Sequence, residues 1–252
     1  MLRATLAGAM LAILLTGCAG MPGGTSDYES LVNTIALDDD TALREAVRSG
    51  GLDVNRSIPT SGHPEGAPLI AVAARHGSVR VTRFLISAGA NVNLRTGNGE
   101  TALMLAAYFN SDGDRGDSGS QDRQERIARM LIDAGAHLEN EPNSYTPLGY
   151  AAYQGNVRIV RYLLERGARV DADAEDGTAY LATPLMMATM QGHADTAQWL
   201  LRAGADPRVR VYRGHTAAEL ALKYNHARLF HLLRCAETLP PGRKSLDRCA
   251  PR

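Results

Sequence analysis

Seven histidines and three cysteines are the side chains of this 252-residue sequence best suited to metal or nucleophilic chemistry. His63, His76, His137, His215 and His231 show no zinc spacing, such as an HxxxH pair set against cysteines. No HExxH, P-loop or nucleophile-elbow motif is present. No catalytic residue, metal ligand or cofactor is therefore assigned, and a non-enzymatic role is expected. The best case for metal chemistry is an acidic stretch, SDGDRGDSGSQD, at 111–122. One frame puts Asp114, Ser118, Gly119, Asp122 and Glu125 at positions 1, 5, 6, 9 and 12 of a twelve-residue calcium loop. Position 3 falls on Gly116, which has no side-chain oxygen, and position 8 on polar Gln121. The composition is that of a solvated loop inserted between two elements.

Charge narrows the partner. The chain carries 27 Lys plus Arg against 27 Asp plus Glu. That leaves no basic excess to neutralise a phosphate backbone, which argues against nucleic acid. Apolar residues make up 44% and aromatics only 5%, so a core must be built from Leu, Ala, Val and Ile.

The first residues read as a processing signal. Arg3 precedes an uncharged run at 4–15, too short for a spanning helix of about 20 residues but the right length for a signal-peptide core. It ends in Leu15-Thr16-Gly17-Cys18, which resembles the lipobox of bacterial lipoproteins. The resemblance implies a signal peptide at 1–17, lipidation of Cys18 and, since Ala19 follows, sorting to the outer membrane. Residues 18–26 then read as a flexible tether. Export would leave Cys235 and Cys249 as the remaining thiols in an oxidising compartment. Pro240-Pro241-Gly242 between them can turn the chain back. A Cys235–Cys249 bridge would staple the 237–252 tail to the end of the domain; free or intermolecular thiols are the alternative.

What positions everything else is a repeat. PLIAVAARHG, TALMLAAYFN, TPLGYAAYQG, TPLMMATMQG and TAAELALKYN end at 77, 110, 155, 192 and 225, with gaps of 33, 45, 37 and 33. A further unit fits upstream through LVNTIALDD, TALREAV and GLDVN. In TPLGYAAYQG, Thr146 is placed to cap a helix and Pro147 sits where no internal N–H bond is lost. Leu148, Ala151 and Ala152 form one stripe, and Gly155 ends the helix by allowing positive φ. The second helix shows Ile159, Val160, Leu163 and Leu164 on one face before Gly167. These residues resemble the ankyrin repeat from about residue 28 to 235. The resemblance implies an all-α solenoid of about six helix-turn-helix units with hairpin fingers, spanning 27–236 with an insertion at 111–122. His193 and His226 then occupy a recurrent structural place just after the inner helix. The usual TPLH histidine is replaced by Ala71, Met104, Gly149, Met186 and Glu219, and Pro68 stands where a capping Thr is usual.

By the geometry of that family, the second half of each inner helix faces a concave groove. Tyr108, Phe109, Tyr153, Met190 and Tyr224 fall there, with Met104 and Met186 a turn earlier, and Tyr145, Tyr180 and Tyr212 fall in fingers. If exposed, they form the composition of an interface hot spot. The other possibility is that Tyr108 and Tyr153 pack between inner helices. The expectation is a monomeric scaffold, held to the membrane through the N-terminal lipid and facing the periplasm or cell surface. It binds an unknown protein and takes no small-molecule substrate. An immunity or inhibitor protein against a toxic or lytic enzyme, and an accessory protein for a periplasmic enzyme, are the alternatives.

Overall fold

The computed structural model describes residues 25–108, 118–139, 145–171, 182–210, 214–239 and 249. Cys18, Phe109, Tyr180 and Tyr212 lie outside them. The chain divides into two compact units, residues 1–106 with 110–136, and 107–109 with 137–252.

The first unit holds α1 (Thr25–Ala36), α2 (Asp40–Arg48), α3 (Leu69–His76), α4 (Val79–Ser87), most of α5 (Ala102–Ala107) and α6 (Ser118–Asp133). Helix α1 begins inside the 18–26 segment read as a tether. An antiparallel hairpin, β1 (Ser57–Thr60) and β2 (His63–Pro68), precedes α3, so the all-α expectation needs correction. From Asn55 to Pro68 the chain takes 13 steps, where the corresponding stretch from Asn93 to Thr101 takes 8. The longer finger has the residues to fold on itself. Buried His63 anchors it: its Nε2 lies 2.7 Å from Glu100 Oε2, and its backbone N–H donates to Thr60 Oγ1. Gly97 N–H donates to Gly66 O at 2.9 Å, tying the hairpin to the next finger.

The second unit holds α7 (Pro147–Gln154), α8 (Val157–Glu165), α9 (Pro184–Met190), α10 (Ala194–Arg202), α11 (Ala217–Lys223) and α12 (Ala227–Glu237). Thr146 and Thr183 cap α7 and α9, accepting from Gly149 N–H and Met186 N–H at 3.1 and 3.2 Å. Thr216 and Glu219 close a reciprocal capping box on α11. In the first unit Pro68 has no side-chain cap to offer; Leu69 N–H instead donates to Arg56 O at 3.2 Å. Gly155 at φ +71° takes the left-handed turn that ends α7, and Asn225 does the same at φ +61° where glycine is missing.

Small residues bring neighbouring repeats close. Leu148, Ala151 and Ala152 are fully buried, as are Ile159, Val160 and Leu163. Tyr162 is buried too, with the Arg166 guanidinium 4.5 Å over its ring, whereas Leu164 is only half-buried. Each repeat also grips the next within its unit. His193 Nε2–H donates to Tyr153 O at 3.1 Å, and His226 Nε2–H to Met190 O at 3.2 Å. A Cβ at Gly155 would stand 2.5 Å from the His193 ring, and one at Gly192 would stand 2.7 Å from His226. The finger ends form a ladder: Asn91 N–H donates to Asn55 Oδ1 in the first unit, and Asp206 N–H to Asp171 Oδ2 in the second.

The 111–122 segment is not wholly a loop, because residues 118–122 open α6. A helical backbone at Ser118 and Gly119, positions 5 and 6 of that frame, departs from the irregular turn a calcium loop needs there. At the far end, Cys235 on α12 is joined to Cys249, with Cα atoms 5.7 Å apart.

Candidate functional site

The second unit carries a cluster of tyrosines at the ends of helices. Tyr153 lies in the last turn of α7 and Tyr150 one turn before it; Tyr145 immediately precedes the Thr146 cap, and Tyr108 follows α5. The Tyr108 and Tyr153 rings stack at 6.3 Å with a 22° interplanar angle. Tyr150 meets Tyr108 edge-on at 5.4 Å and Tyr145 at 6.3 Å. All four are half-buried, so the cluster is packed together yet remains in part at the surface. Such pairs hold their rings in place at little conformational cost, which suits them to contact a partner. Tyr108 and Tyr153 therefore pack on each other without entering the core.

Met190, in the last turn of α9, is half-buried, and Tyr224, just after α11, is 40% exposed. Leu222, 66% exposed on α11, stands two residues before it. Met104 and Met186 need correction: they are 3% and 1% exposed and belong to the core. Each sits in the first turn of a capped helix, where its backbone N–H is committed to the capping threonine. The Met104 sulfur goes further, accepting the Thr101 backbone N–H at 3.5 Å, the place a glutamate takes in a capping box. A side chain folded back onto its own cap is turned away from any partner.

Tyr150 escaped the reading by sequence. Its signal was present, since it stands three residues before Tyr153 and therefore on the same helical face. Among the described residues there is no group of three or more His, Cys, Asp or Glu able to hold a metal ion. No helix among them is long and apolar enough to cross a membrane.

Family models match three stretches in turn: ankyrin repeats (many copies) at residues 70–114, ankyrin repeats (3 copies) at 120–174 and an ankyrin repeat at 180–211. Together they cover a little over half of the chain. It belongs to the ankyrin-repeat family. Ankyrin repeats are protein–protein interaction modules, and where family members bear enzyme names the repeats form a separate part of the chain. The chain is 30% identical over 178 residues to the ankyrin repeat and KH domain-containing protein mask-1 of Caenorhabditis elegans, a match over 66% of this chain and 6% of that protein. It is 44% identical over 88 residues to palmitoyltransferase Hip14 of Drosophila melanogaster, over 34% of this chain and 13% of that one. It is 29% identical over 170 residues to the putative ankyrin repeat protein FPV014 of fowlpox virus, over 64% and 35% respectively. The chain thus spans a minor part of each of these relatives.

Proposed function

We propose that this ankyrin-repeat protein is a lipid-anchored binding scaffold of the bacterial envelope. Cys18 carries the anchor, and the second unit engages a protein partner through Tyr108, Tyr145, Tyr150, Tyr153 and Met190. The observation that carries the binding half is the tyrosine cluster itself: four rings ordered against one another, half-exposed, at helix ends of a repeat family that works by contact. Tyrosine is among the residues most enriched where binding energy concentrates. The anchoring half rests on Leu15-Thr16-Gly17-Cys18 behind an uncharged run. The mature chain would then sit at the outer membrane, where the Cys235–Cys249 pair would stay oxidised.

Two experiments test the halves separately. A photo-crosslinking amino acid at Tyr153 should give a discrete adduct in envelope preparations, while the same probe at Arg228, exposed on α12, should give none. Equal yield from the two positions would remove the tyrosine face. For the anchor, Cys18→Ser should abolish fatty-acid labelling and release the protein from the membrane fraction. An unlabelled parent would end that part of the proposal.

A further inference from the structure

The first unit contains a pocket that none of the clustered tyrosines lines. The β1–β2 hairpin leans on α1, and between the hairpin and α1, α3 and α5 lies a pocket of about 680 Å³. This is inside the range of about 300–1,000 Å³ typical of ligand pockets. Its apolar lining includes Val32, Ala71, Val72 and Leu105. At its edge stands Arg75, in the last turn of α3. Arg75 is exposed and has no carboxylate partner among the described residues, in a chain where arginine pairs with acid repeatedly (Arg44 and Arg80 with Asp40, Arg129 with Glu125, Arg210 with Glu219). Its guanidinium is laid against the hairpin turn: a Cβ at Gly62 would stand 3.2 Å from Nη1. Glycine there lets the cation rest beside the pocket mouth. Across from it, Tyr28 is held by Arg56, whose Nη2 donates to the Tyr28 hydroxyl at 3.3 Å.

We infer that this pocket is a docking site for an acidic segment of a protein partner, with an Asp or Glu side chain on Arg75 and an adjoining apolar side chain on the Val32–Val72–Leu105 floor. The planar guanidinium offers two parallel N–H donors, a match to a carboxylate. The rim also carries Glu29, which makes no ion pair with Arg75. That second charge suits a singly charged carboxylate and opposes a phosphate dianion. The hairpin makes the site: the 8-step finger at 93–101 has too few residues to build a wall of this kind.

The test uses the full chain in detergent and a library of random heptapeptides with amidated C termini. Enriched peptides should carry Asp or Glu beside an apolar residue and should bind more weakly as salt rises. Arg75→Gln should weaken the best peptide about tenfold or more, the scale of a lost charge-assisted hydrogen bond, without moving the melting temperature. Arg75→Lys should retain part of the binding, and Gly62→Leu, which displaces the guanidinium, should lose it. The Tyr108, Tyr153 and Met190→Ser variant should bind these peptides as the parent does, which separates this site from the tyrosine face. A library result with no acidic preference, or unchanged affinity in Arg75→Gln, would each overturn the inference.

Discussion

Met186 and Met190 are the same residue type on the same helix, four positions apart, yet one is in the core and the other is half-exposed. The contrast separates the two halves of an inner helix. The first turn lies inward: the Thr183 hydroxyl accepts the Met186 N–H, and the Met186 side chain is buried. The last turn is committed to the next repeat through its carbonyl, which accepts from His226, and this leaves the Met190 side chain free to serve a surface. Tyr153 repeats the arrangement one repeat earlier, its carbonyl taken by His193 and its ring turned to the cluster. The two ends of a single helix thus differ in burial: the first turn lies in the core, and the last turn gives its carbonyl to the next repeat and keeps its side chain at the surface.

Substituting the two methionines tests this division. Met186→Ala should cost about 2–5 kcal/mol, the usual range for emptying a buried methionine site. Met190→Ala should stay below about 1 kcal/mol, as expected for a partly exposed residue. Chemical denaturation of both variants measures the difference, and equal losses would erase the contrast. A smaller effect is expected at the turn that ends α7. Gly155→Ala places a Cβ against the His193 ring in a left-handed turn and should cost about 1–3 kcal/mol. Asn225, already left-handed without being glycine, should gain slightly from Asn225→Gly.

The smallest of these stability effects comes from acid. Burial pushes the His193 imidazole below its ordinary value of 6.5, the Tyr153 carbonyl pulls it back up, and nearby His226 adds to the lowering. The unfolded chain therefore takes up this proton at a higher pH than the folded one does. The contribution of His193 is complete above about pH 6.5 and is lost as the pH falls through the window below it, down to the folded value. His193→Gln should flatten that part of the stability profile; an unchanged slope would show that the clasp does not titrate.

The parts legible in the sequence were those set by local chemistry. Thr146 before Pro147, the paired alanines and Gly155 each specify a cap, a close contact and a turn within a few residues. Hairpin fingers follow from the repeat, but strand bounds for β1 and β2 do not, because the five extra steps sit in a segment rich in proline and glycine that reads as loop. The start of α6 was missed for a similar reason: Ser118-Gly119-Ser120 are poor helix formers, and packing further along at Ile127, Ala128 and Leu131 decides the matter. The inward turn of Met104 and Met186 was invisible, since spacing gives a helical face but not how far that face is covered.

As proposed, the last turn of the inner helices in the second unit is a binding surface rather than core. One measurement addresses it most directly: Tyr108, Tyr153 and Met190 changed to Ser together, with thermal melting by circular dichroism and Tyr150-directed crosslinking followed on the same preparation. A melting transition within a few degrees of the parent and loss of the crosslinked adduct are expected. A collapse of the melting temperature, or an adduct formed at parental yield, would contradict it.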